Sequence, residues 1–320
     1  MNDRLPPLTA LRAFDAAARH MSFQKAAEEL NVTPAALSFQ IKSLEEHLGA
    51  SVFRRLNRAV ELTEAGRMLA PGTRDAFAAL SAAWRTTRRA ADNSVVTVTA
   101  GPAITAKWLA PRLFAFATAH PDIELRFTAT LRLLDFLRDD VDVAIRFGLG
   151  QGDDGLFSKP IIREWLTPMT TPEVARSLKS PEDLLSVTLL HQDDTAFLRP
   201  SVQWPTWFRA AGLDAPPSGG PRFSQADHAI DSALTGGGVI LGRVSLAARD
   251  LLEGRLVMPF DLSITTEAHY RLLCPAGAET RPHIKAFLDW IEGEVAEFQK
   301  LDIGRRFITA AEAETMSGVS

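Results

Sequence analysis

The chain has 320 residues, of which 46% are hydrophobic and 23% are charged, and its formal net charge is −4. These values are ordinary for a soluble globular protein and leave room for two or three domains with a sizeable buried core. No apolar run approaches the ~18 residues of a membrane span, the start MNDRLPPL lacks an apolar signal segment, and one cysteine excludes an intramolecular disulfide. We therefore expect a cytoplasmic protein without a membrane partner.

The stretch SFQKAAEELNVTPAALSFQIKSLEEHLG, from Ser22 to Gly49, predicts two short helices joined by a tight turn. Ser22 and Thr33 are suited to cap these helices, Pro34 fits the first position of the second helix, and Gly49 ends it. Apolar residues recur at helical spacing in both helices and in one before them: Leu8, Leu11, Phe14 and Ala18, then Phe23, Ala26, Ala27 and Leu30, then Leu37, Ile41, Leu44 and Leu48. This pattern is typical of a helix-turn-helix that places one helix in the major groove of DNA.

The outward face of the second helix combines small side chains with a hydroxyl, an aromatic ring and a lysine: Pro34, Ala35, Ser38, Phe39 and Lys42. Such side chains suit base edges, a thymine methyl group and a phosphate. The following run SVFRRLNRAVEL predicts a two-stranded wing that concentrates Arg54, Arg55 and Arg58 for phosphates. Residues 1–66 hold eight basic and eight acidic residues, so the same side chains also fit the solvated face of a plain helical domain.

Residues 63–91 have a helical composition, with Thr63 as a suitable cap. Apolar and small residues lie at heptad-like spacing in this helix: Ala70, Thr73, Phe77, Leu80, Trp84 and Thr87. We interpret them as a dimer seam, the alternative being a face that packs onto its own chain. Pro71 and Gly72 are expected to kink or break the helix. Residues 1–91 carry a net charge of +4 and residues 92–320 one of −8, which favours a DNA-binding end and an acidic control end.

From Ser94 onward, strand-like runs alternate with helical segments, which predicts an α/β domain with largely parallel strands and a cleft. The strand candidates are VVTVTA, IELRFTAT, VDVAIRF, LTPMTT, VTLLH, GVILG and HYRLLC. Helices are expected at 105–119, around 134–138, and at 182–185, 204–211, 227–234 and 282–298. After Leu301 the chain is polar and rich in small residues, and we expect a frayed tail.

Five ordered segments carry a resemblance to a known family: LPPLTALRAFDAAARHMSFQKAAEELNVTPAALSFQIKSLEEHLGASVFRR, LNRAVELTEAG, WLAPRLFAFATAHPDIEL, DDVDVAIRFGLG and IDSALTGGGVILGRVSLAARDLLEGRLVMPF. They resemble the LysR-type transcriptional regulators, and within these the branch of the glycine-cleavage-system activator and the β-lactamase regulator. The resemblance covers residues 5–298. It implies a sequence-specific DNA-binding regulator, not an enzyme, whose DNA geometry and output are controlled by a small-molecule effector.

The resemblance also implies an α/β architecture with an N-terminal winged helix-turn-helix, a long linker helix and a two-lobed effector domain like a periplasmic binding protein. The implied bounds are 1–62, 63–93 and 94–300, with lobe I at 94–167 and 270–298, lobe II at 168–269, and a flexible tail at 301–320. The implied partners are double-stranded promoter DNA, the small-molecule effector, RNA polymerase and further copies of the chain in a homotetramer, a dimer of dimers. No cofactor is implied.

Two sets of site residues follow from the resemblance. The DNA-binding set is Ser22, Gln24, Thr33, Pro34, Ala35, Ser38, Phe39, Lys42, Arg54, Arg55 and Arg58. The effector-binding set is Pro102, Ala103, Ile104, Thr105, Thr130, Arg146, Phe147, His191, Ser224, Gln225, Asp227 and Tyr270.

The effector set departs from the family at Ala103, where relatives often have a serine or threonine whose hydroxyl helps to hold an anion. Leu131 also stands where relatives often have a polar residue. We therefore expect a less polar pocket, in which the backbone N–H groups of Ile104 and Thr105 remain as donors. Arg146 suits either a ligand carboxylate or a structural ion pair, and His191 either a ligand or an ordinary strand end.

Other function classes have less support in the sequence. An enzyme is disfavoured because GGGVILG places Leu241 where a nucleotide-binding loop has its third glycine, and because Cys274 lies in an apolar run. The seven histidines lack metal-ligand spacing, so no metal site is expected. A solute-binding module is disfavoured by the missing signal segment. The remaining alternative is a ligand-independent regulator with a structural cleft, which the Ala103 departure supports.

Overall fold

The computed structural model describes residues 5–55, 60–90, 94–132, 135–136, 139–214 and 219–316. The chain divides into two compact units, one formed by the first 91 residues and the other by most of the rest. Within the described ranges, no helix combines the length and the hydropathy that a bilayer crossing requires.

The first unit begins with three helices, α1 (Leu8–His20), α2 (Phe23–Glu29) and α3 (Pro34–Leu48). Both expected caps form, since Ser22 Oγ accepts a hydrogen bond from the Lys25 N–H at 3.4 Å and Thr33 Oγ1 accepts one from the Ala36 N–H at 3.1 Å. Gly49 ends α3 with a φ of +76°, a conformation that glycine adopts without strain. The helix-turn-helix prediction is confirmed.

The core of the first unit consists of the predicted apolar stripes, with two exceptions. Phe14, Leu37 and Ile41 are at most 2% exposed. Leu8 and Leu48 are 61% and 50% exposed, so their assignment to the core is wrong. They lie in the first turn of α1 and the last turn of α3, where the helices extend beyond the packed centre.

The predicted wing is present as two antiparallel strands, β1 (Phe53–Arg55) and β2 (Val60–Leu62). Glu45 on α3 holds its base, because Oε1 accepts hydrogen bonds from the N–H groups of Val52 at 2.9 Å and Phe53 at 3.4 Å. The tip of the wing, residues 56–59 with Arg58, lies outside the described residues.

The linker helix α4 (Glu64–Ala90) begins at its predicted cap, where Thr63 Oγ1 accepts a hydrogen bond from the Gly66 N–H at 3.1 Å. A Cβ at Gly66 would lie 2.1 Å from the carbonyl oxygen of Val52, so only glycine fits this turn. The helix continues through Pro71 without interruption, so the expected break is absent. A proline in the second turn removes a single backbone hydrogen bond from a helix of 27 residues.

The seam residues of α4 face two ways. Phe77 packs against the core of the first unit, as expected if this face of the helix packs onto its own chain. Leu80 and Trp84 are 55% and 67% exposed. The half of α4 that follows Phe77 therefore presents apolar side chains that its own chain does not cover.

The second unit contains one nine-stranded sheet in the described part of the chain. Its strands run in the order β4-β3-β5-β10-β6-β9-β7-β8, with β11 beside β10: β3 (Val95–Ala100), β4 (Glu124–Ala129), β5 (Val143–Gly148), β6 (Leu156–Met169), β7 (Leu189–Gln192), β8 (Arg222–Phe223), β9 (Val239–Arg243), β10 (Leu262–Pro275) and β11 (Arg306–Thr309). The pairs at both ends of the sheet are parallel, as expected. The long central strands β6 and β10 are antiparallel to each other and to their other neighbours β9 and β5.

Helices cover the sheet: α5 (Pro102–Ile104), α6 (Leu113–Ala119), α7 (Pro172–Ala175), α8 (Trp204–Ala210), α9 (Ala226–Leu234), α10 (Val244–Leu252), α11 (Pro282–Val295) and α12 (Ala310–Thr315). The single helix expected at 105–119 is instead a π-helical turn, a 3₁₀ turn that contains Pro111, and α6. The helix expected around 134–138 is absent at Asp135 and Phe136, and the rest of it lies outside the described residues.

The C-terminal tail is not frayed, in contrast to the expectation. Strand β11 pairs in parallel with residues 262–265 of β10, and α12 follows at once with a capping box between Thr309 and Glu312. Ala310 and Ala313 are at most 3% exposed and belong to the cluster around Trp204 and Trp207. The sequence did not predict this strand and helix because most of their residues are polar, and only Ala310, Ala313 and part of β11 face inward.

Candidate DNA-binding face and effector cleft

The exposed face of α3 brings three predicted DNA-binding residues together. Ser38, Phe39 and Lys42 surround one shallow depression, and the Phe39 side chain is 68% exposed. Lys42 Nζ lies 3.6 Å from Glu46, with both side chains about two-thirds or more exposed, so this pair is weak and leaves the lysine able to reach a phosphate. Pro34 and Ala35 are also exposed, at the start of the same helix.

The other predicted DNA-binding residues are placed less uniformly. The hydroxyls of Ser22 and Thr33 cap their helices, and the exposed Gln24 donates to Glu28 at 3.3 Å. Arg54 is exposed on β1, whereas the side chain of Arg55 and all of Arg58 lie outside what the structure describes.

An inter-strand cleft in the second unit forms a cavity of about 370 Å³. Its lining includes nine of the twelve predicted effector residues: Pro102, Ala103, Ile104, Thr130, Arg146, Phe147, Ser224, Gln225 and Tyr270. Thr105, His191 and Asp227 are not part of this lining. The volume is at the lower end of the range for small-molecule sites.

Local hydrogen bonds account for two of these three residues. Thr105 donates both its backbone N–H and its hydroxyl to the Gly101 carbonyl, so the expectation that this N–H is a free donor is wrong. His191 Nε2 lies 2.6 Å from the Gly219 carbonyl oxygen, which fits the ordinary strand-end histidine.

Five further residues line the cleft that the sequence did not identify: Gly101, Ile145, Asp194, Phe197 and Arg243. Asp194 belongs to the acidic pair that follows β7, and Arg243 is the last residue of β9. The available signal for Asp194 was a pair of acidic residues after a buried strand, and the signal for Arg243 was a charged residue at the end of one.

Arg243 is the centre of a buried network at the floor of the cleft. Its guanidinium donates to Glu164 at 3.0 Å, to Asp194 at 2.7 Å and to the Tyr270 hydroxyl at 3.0 Å, and it stacks on the Phe147 ring at 3.9 Å. Burial raises the pKa of Tyr270, so its phenol remains neutral and acts as the acceptor. The network joins β6, β9, β10 and the segment after β7.

Arg146, on β5, lines the same cleft and is half-buried. Its bonds go to neutral oxygens: the Ile145 carbonyl and Thr99 Oγ1, both at 3.1 Å, and the Arg132 carbonyl at 3.5 Å. Burial lowers the pKa of this guanidinium. Among the described residues no carboxylate pairs with Arg146, so the alternative of a structural ion pair has no support there.

Cys274 is fully buried, and burial raises the pKa of its thiol to about 11. Such a thiol remains protonated at neutral pH and is a poor nucleophile.

Comparison with known proteins identifies the family. The bacterial regulatory helix-turn-helix protein family of lysR type matches residues 8–67, and the LysR substrate binding domain matches residues 89–296. The chain belongs to the LysR family. It is therefore a DNA-binding transcriptional regulator with an effector-binding domain, and the enzyme alternative is set aside because the members of this family are regulators.

Relatives with assigned functions lie in the expected branch of the LysR family. The glycine cleavage system transcriptional activator of Escherichia coli K12 is 40% identical over 304 residues, which cover 94% of this chain and 97% of that protein. The transcriptional activator AmpR of Pseudomonas aeruginosa is 38% identical over 287 residues, with coverage of 89% and 94%.

Solved structures support the same LysR architecture. The effector domain of AmpR from Pseudomonas aeruginosa matches with a TM-score of 0.52 and 33% identity, over 65% of this chain and 98% of that domain. A full-length variant of AphB matches with a TM-score of 0.51 over 89% of this chain and 98% of its own, at 19% identity, and shows the shared fold.

Proposed function

We propose that this regulator binds promoter DNA with α3 and the wing and is controlled by a small molecule in the inter-lobe cleft. The observation that carries the effector role is the cavity that collects nine predicted residues from five separate segments of the chain. The DNA role of the eleven predicted residues is supported by the shared exposed face of Ser38, Phe39 and Lys42.

The proposal keeps the domain bounds 1–62, 63–93 and 94–300, and it adds residues 301–316 to the effector domain because β11 and α12 pack there. The exposed Leu80 and Trp84 on α4 support a dimer seam. We further propose, by analogy with the family, a homotetramer, a contact with RNA polymerase and a cytoplasmic location. Sedimentation velocity tests the assembly: Trp84→Glu should shift tetramers towards smaller species, whereas the same change at the exposed Met68 should not. Equal sedimentation of both variants and the unmodified protein would contradict the seam.

Footprinting on the DNA upstream of the protein's own gene tests the DNA-binding face. Ser38→Ala should relax the preference among sequences, because a hydroxyl at a base edge discriminates between bases. Arg54→Gln should weaken binding to all sequences alike and make the salt dependence shallower by about one counterion. An unchanged salt slope would remove Arg54 from the interface.

A thermal-shift screen of metabolites with the full chain tests the effector role. A ligand that binds the folded protein raises its melting temperature with concentration, and a ligand that controls output also alters the footprint. A screen without any shift, on protein that still binds its operator, would favour the ligand-independent alternative.

A further inference from the structure

The lobe I wall of the cleft presents a cation that has no counter-ion among the described residues. A guanidinium has five N–H donors, and the bonds of Arg146 use three of them, all on neutral oxygens. Removing a charge from water without an opposite charge is unfavourable. A carboxylate on the ligand would supply both the charge and the acceptors that Arg146 lacks.

The opposite wall has an excess of negative charge. Two carboxylates, Glu164 and Asp194, share the single guanidinium of Arg243, and the Oδ1 atom of Asp194 accepts no hydrogen bond from any described group. With both carboxylates ionised, this cluster has a formal charge of −1. A cationic donor beside Asp194 would neutralise it.

Much of the remaining lining is apolar, although Thr130, Ser224 and Gln225 also contribute to it. Ala103 contributes only a methyl group, and Leu131 and Phe197 are 67% and 57% exposed although they line the cleft. The Tyr270 hydroxyl accepts a hydrogen bond from Arg243. Ala103, Leu131 and Phe197 can therefore cover a hydrocarbon group on the ligand.

The geometry points to a zwitterionic effector: Arg146 binds its carboxylate, Asp194 binds its ammonium group, and Leu131 and Phe197 cover its apolar side chain. The inference rests on the proposed effector function and specifies the ligand class. Arg146 lies on β5 and Asp194 follows β7, so one such molecule connects the two lobes. The class includes apolar amino acids and short peptides, whereas neutral sugars and simple monocarboxylates lack at least one of the two charges.

Matched probes test each charge separately on the full chain. L-leucine has both charges, 4-methylpentanoate lacks the ammonium group, and isopentylamine lacks the carboxylate; phenylalanine, 3-phenylpropanoate and phenethylamine form a second series. Calorimetry and thermal shift should show saturable binding of the amino acids. The loss of either charge from the ligand should raise the dissociation constant about tenfold or more.

Two variants assign the charges to their residues. Arg146→Gln should abolish the preference for leucine over isopentylamine, and Asp194→Asn should abolish the preference for leucine over 4-methylpentanoate. Arg146→Lys retains the positive charge and should retain part of the first preference. The melting temperature of each variant without ligand identifies any loss of folding.

The outcomes separate this inference from the proposed function. If a compound with one charge binds as tightly as its zwitterionic partner, the zwitterion assignment fails while the effector function stands. If no compound of either series shifts the melting temperature of protein that still binds its operator, the zwitterion assignment fails as well, and the broad metabolite screen then decides whether the effector function stands.

Discussion

Arg243 and Glu164 form an enclosed ion pair beneath the cleft: their side chains are 3% and 0% exposed, and Nη2 lies 3.0 Å from Oε2. Glu164 also accepts from the backbone N–H of Ser245 at 3.2 Å and from its hydroxyl. The pair fixes the end of β9 against β6, beneath the proposed effector cleft.

Arg243→Met should lower the free energy of unfolding by about 3–5 kcal/mol, because it leaves two carboxylates buried without their cation. Urea unfolding followed by tryptophan fluorescence measures the loss. Arg249→Met is the matched control, since Arg249 pairs with Glu253 at 3.0 Å while both side chains are nearly half exposed, and it should cost far less stability than Arg243→Met. Equal losses in the two variants would mean that the buried pair has no special role.

Acid should weaken the first unit through Glu29. Hydrogen bonds from Arg19, chiefly, and from His20 lower the pKa of Glu29 from 4.5 to about 2. A lowered pKa stabilises the fold above pH 4.5, and this contribution disappears as the pH falls from 4.5 through 2. Glu29→Gln should therefore destabilise the helix-turn-helix at pH 7, by less than about 1 kcal/mol since the pair is over a third exposed, and the difference from the unmodified protein should vanish as the pH falls below 2.

Hydrogen exchange of peptides within residues 8–48 measures this difference between the two proteins at each pH. Glu46→Gln is the control: it removes the carboxylate that pairs with Lys42, which is more exposed than Glu29, and it should leave exchange unchanged. A Glu29→Gln effect that is constant from pH 7 to pH 3 would contradict the ion-pair explanation.

The C-terminal segment should stabilise the central strands through Arg305. Its guanidinium donates to Ser263 Oγ and Thr167 Oγ1, both at 2.7 Å, and lies over the Trp165 ring at 5.1 Å. Arg305→Ala should lower the free energy of unfolding by about 2 kcal/mol or more, since it leaves polar groups unpaired. A chain that ends at Leu301 should lose more.

Urea unfolding checks both changes, and a chain that ends at Met316 is the control that keeps β11 and α12. If the chain that ends at Leu301 unfolds at the same urea concentration as this control, the segment does not brace β6 and β10.

Local signals explain why the first unit was predictable. Caps such as Thr33, breakers such as Gly49 and apolar residues at helical spacing act within a few residues of each other, so the sequence displays them directly. The long strands were only half predicted, because β6 starts with the mixed run LFSKPIIREW, where Pro160 and charged residues conceal an extended strand.

The cleft was predictable where the family resemblance supplied positions, and less so elsewhere. Asp194 and Arg243 come together only through the packing of β7 beside β9, a relation that no local pattern encodes. Thr105 shows the opposite error: a helix start leaves its first N–H groups free, but Thr105 lies far enough into the helix for its N–H to donate to the Gly101 carbonyl.

Phe39 provides a test of base recognition without a stability effect. Its ring is 68% exposed, so Phe39→Ala should leave the melting temperature unchanged. If the ring contacts a thymine methyl group, the variant should bind the operator about fivefold more weakly, an effect of about 1 kcal/mol. Replacing each thymine of the footprint by uracil in turn should produce the same loss at one position for the unmodified protein and no further loss for Phe39→Ala. Additive losses at every thymine would show that Phe39 contacts none of these methyl groups, because independent contacts add and a shared contact does not.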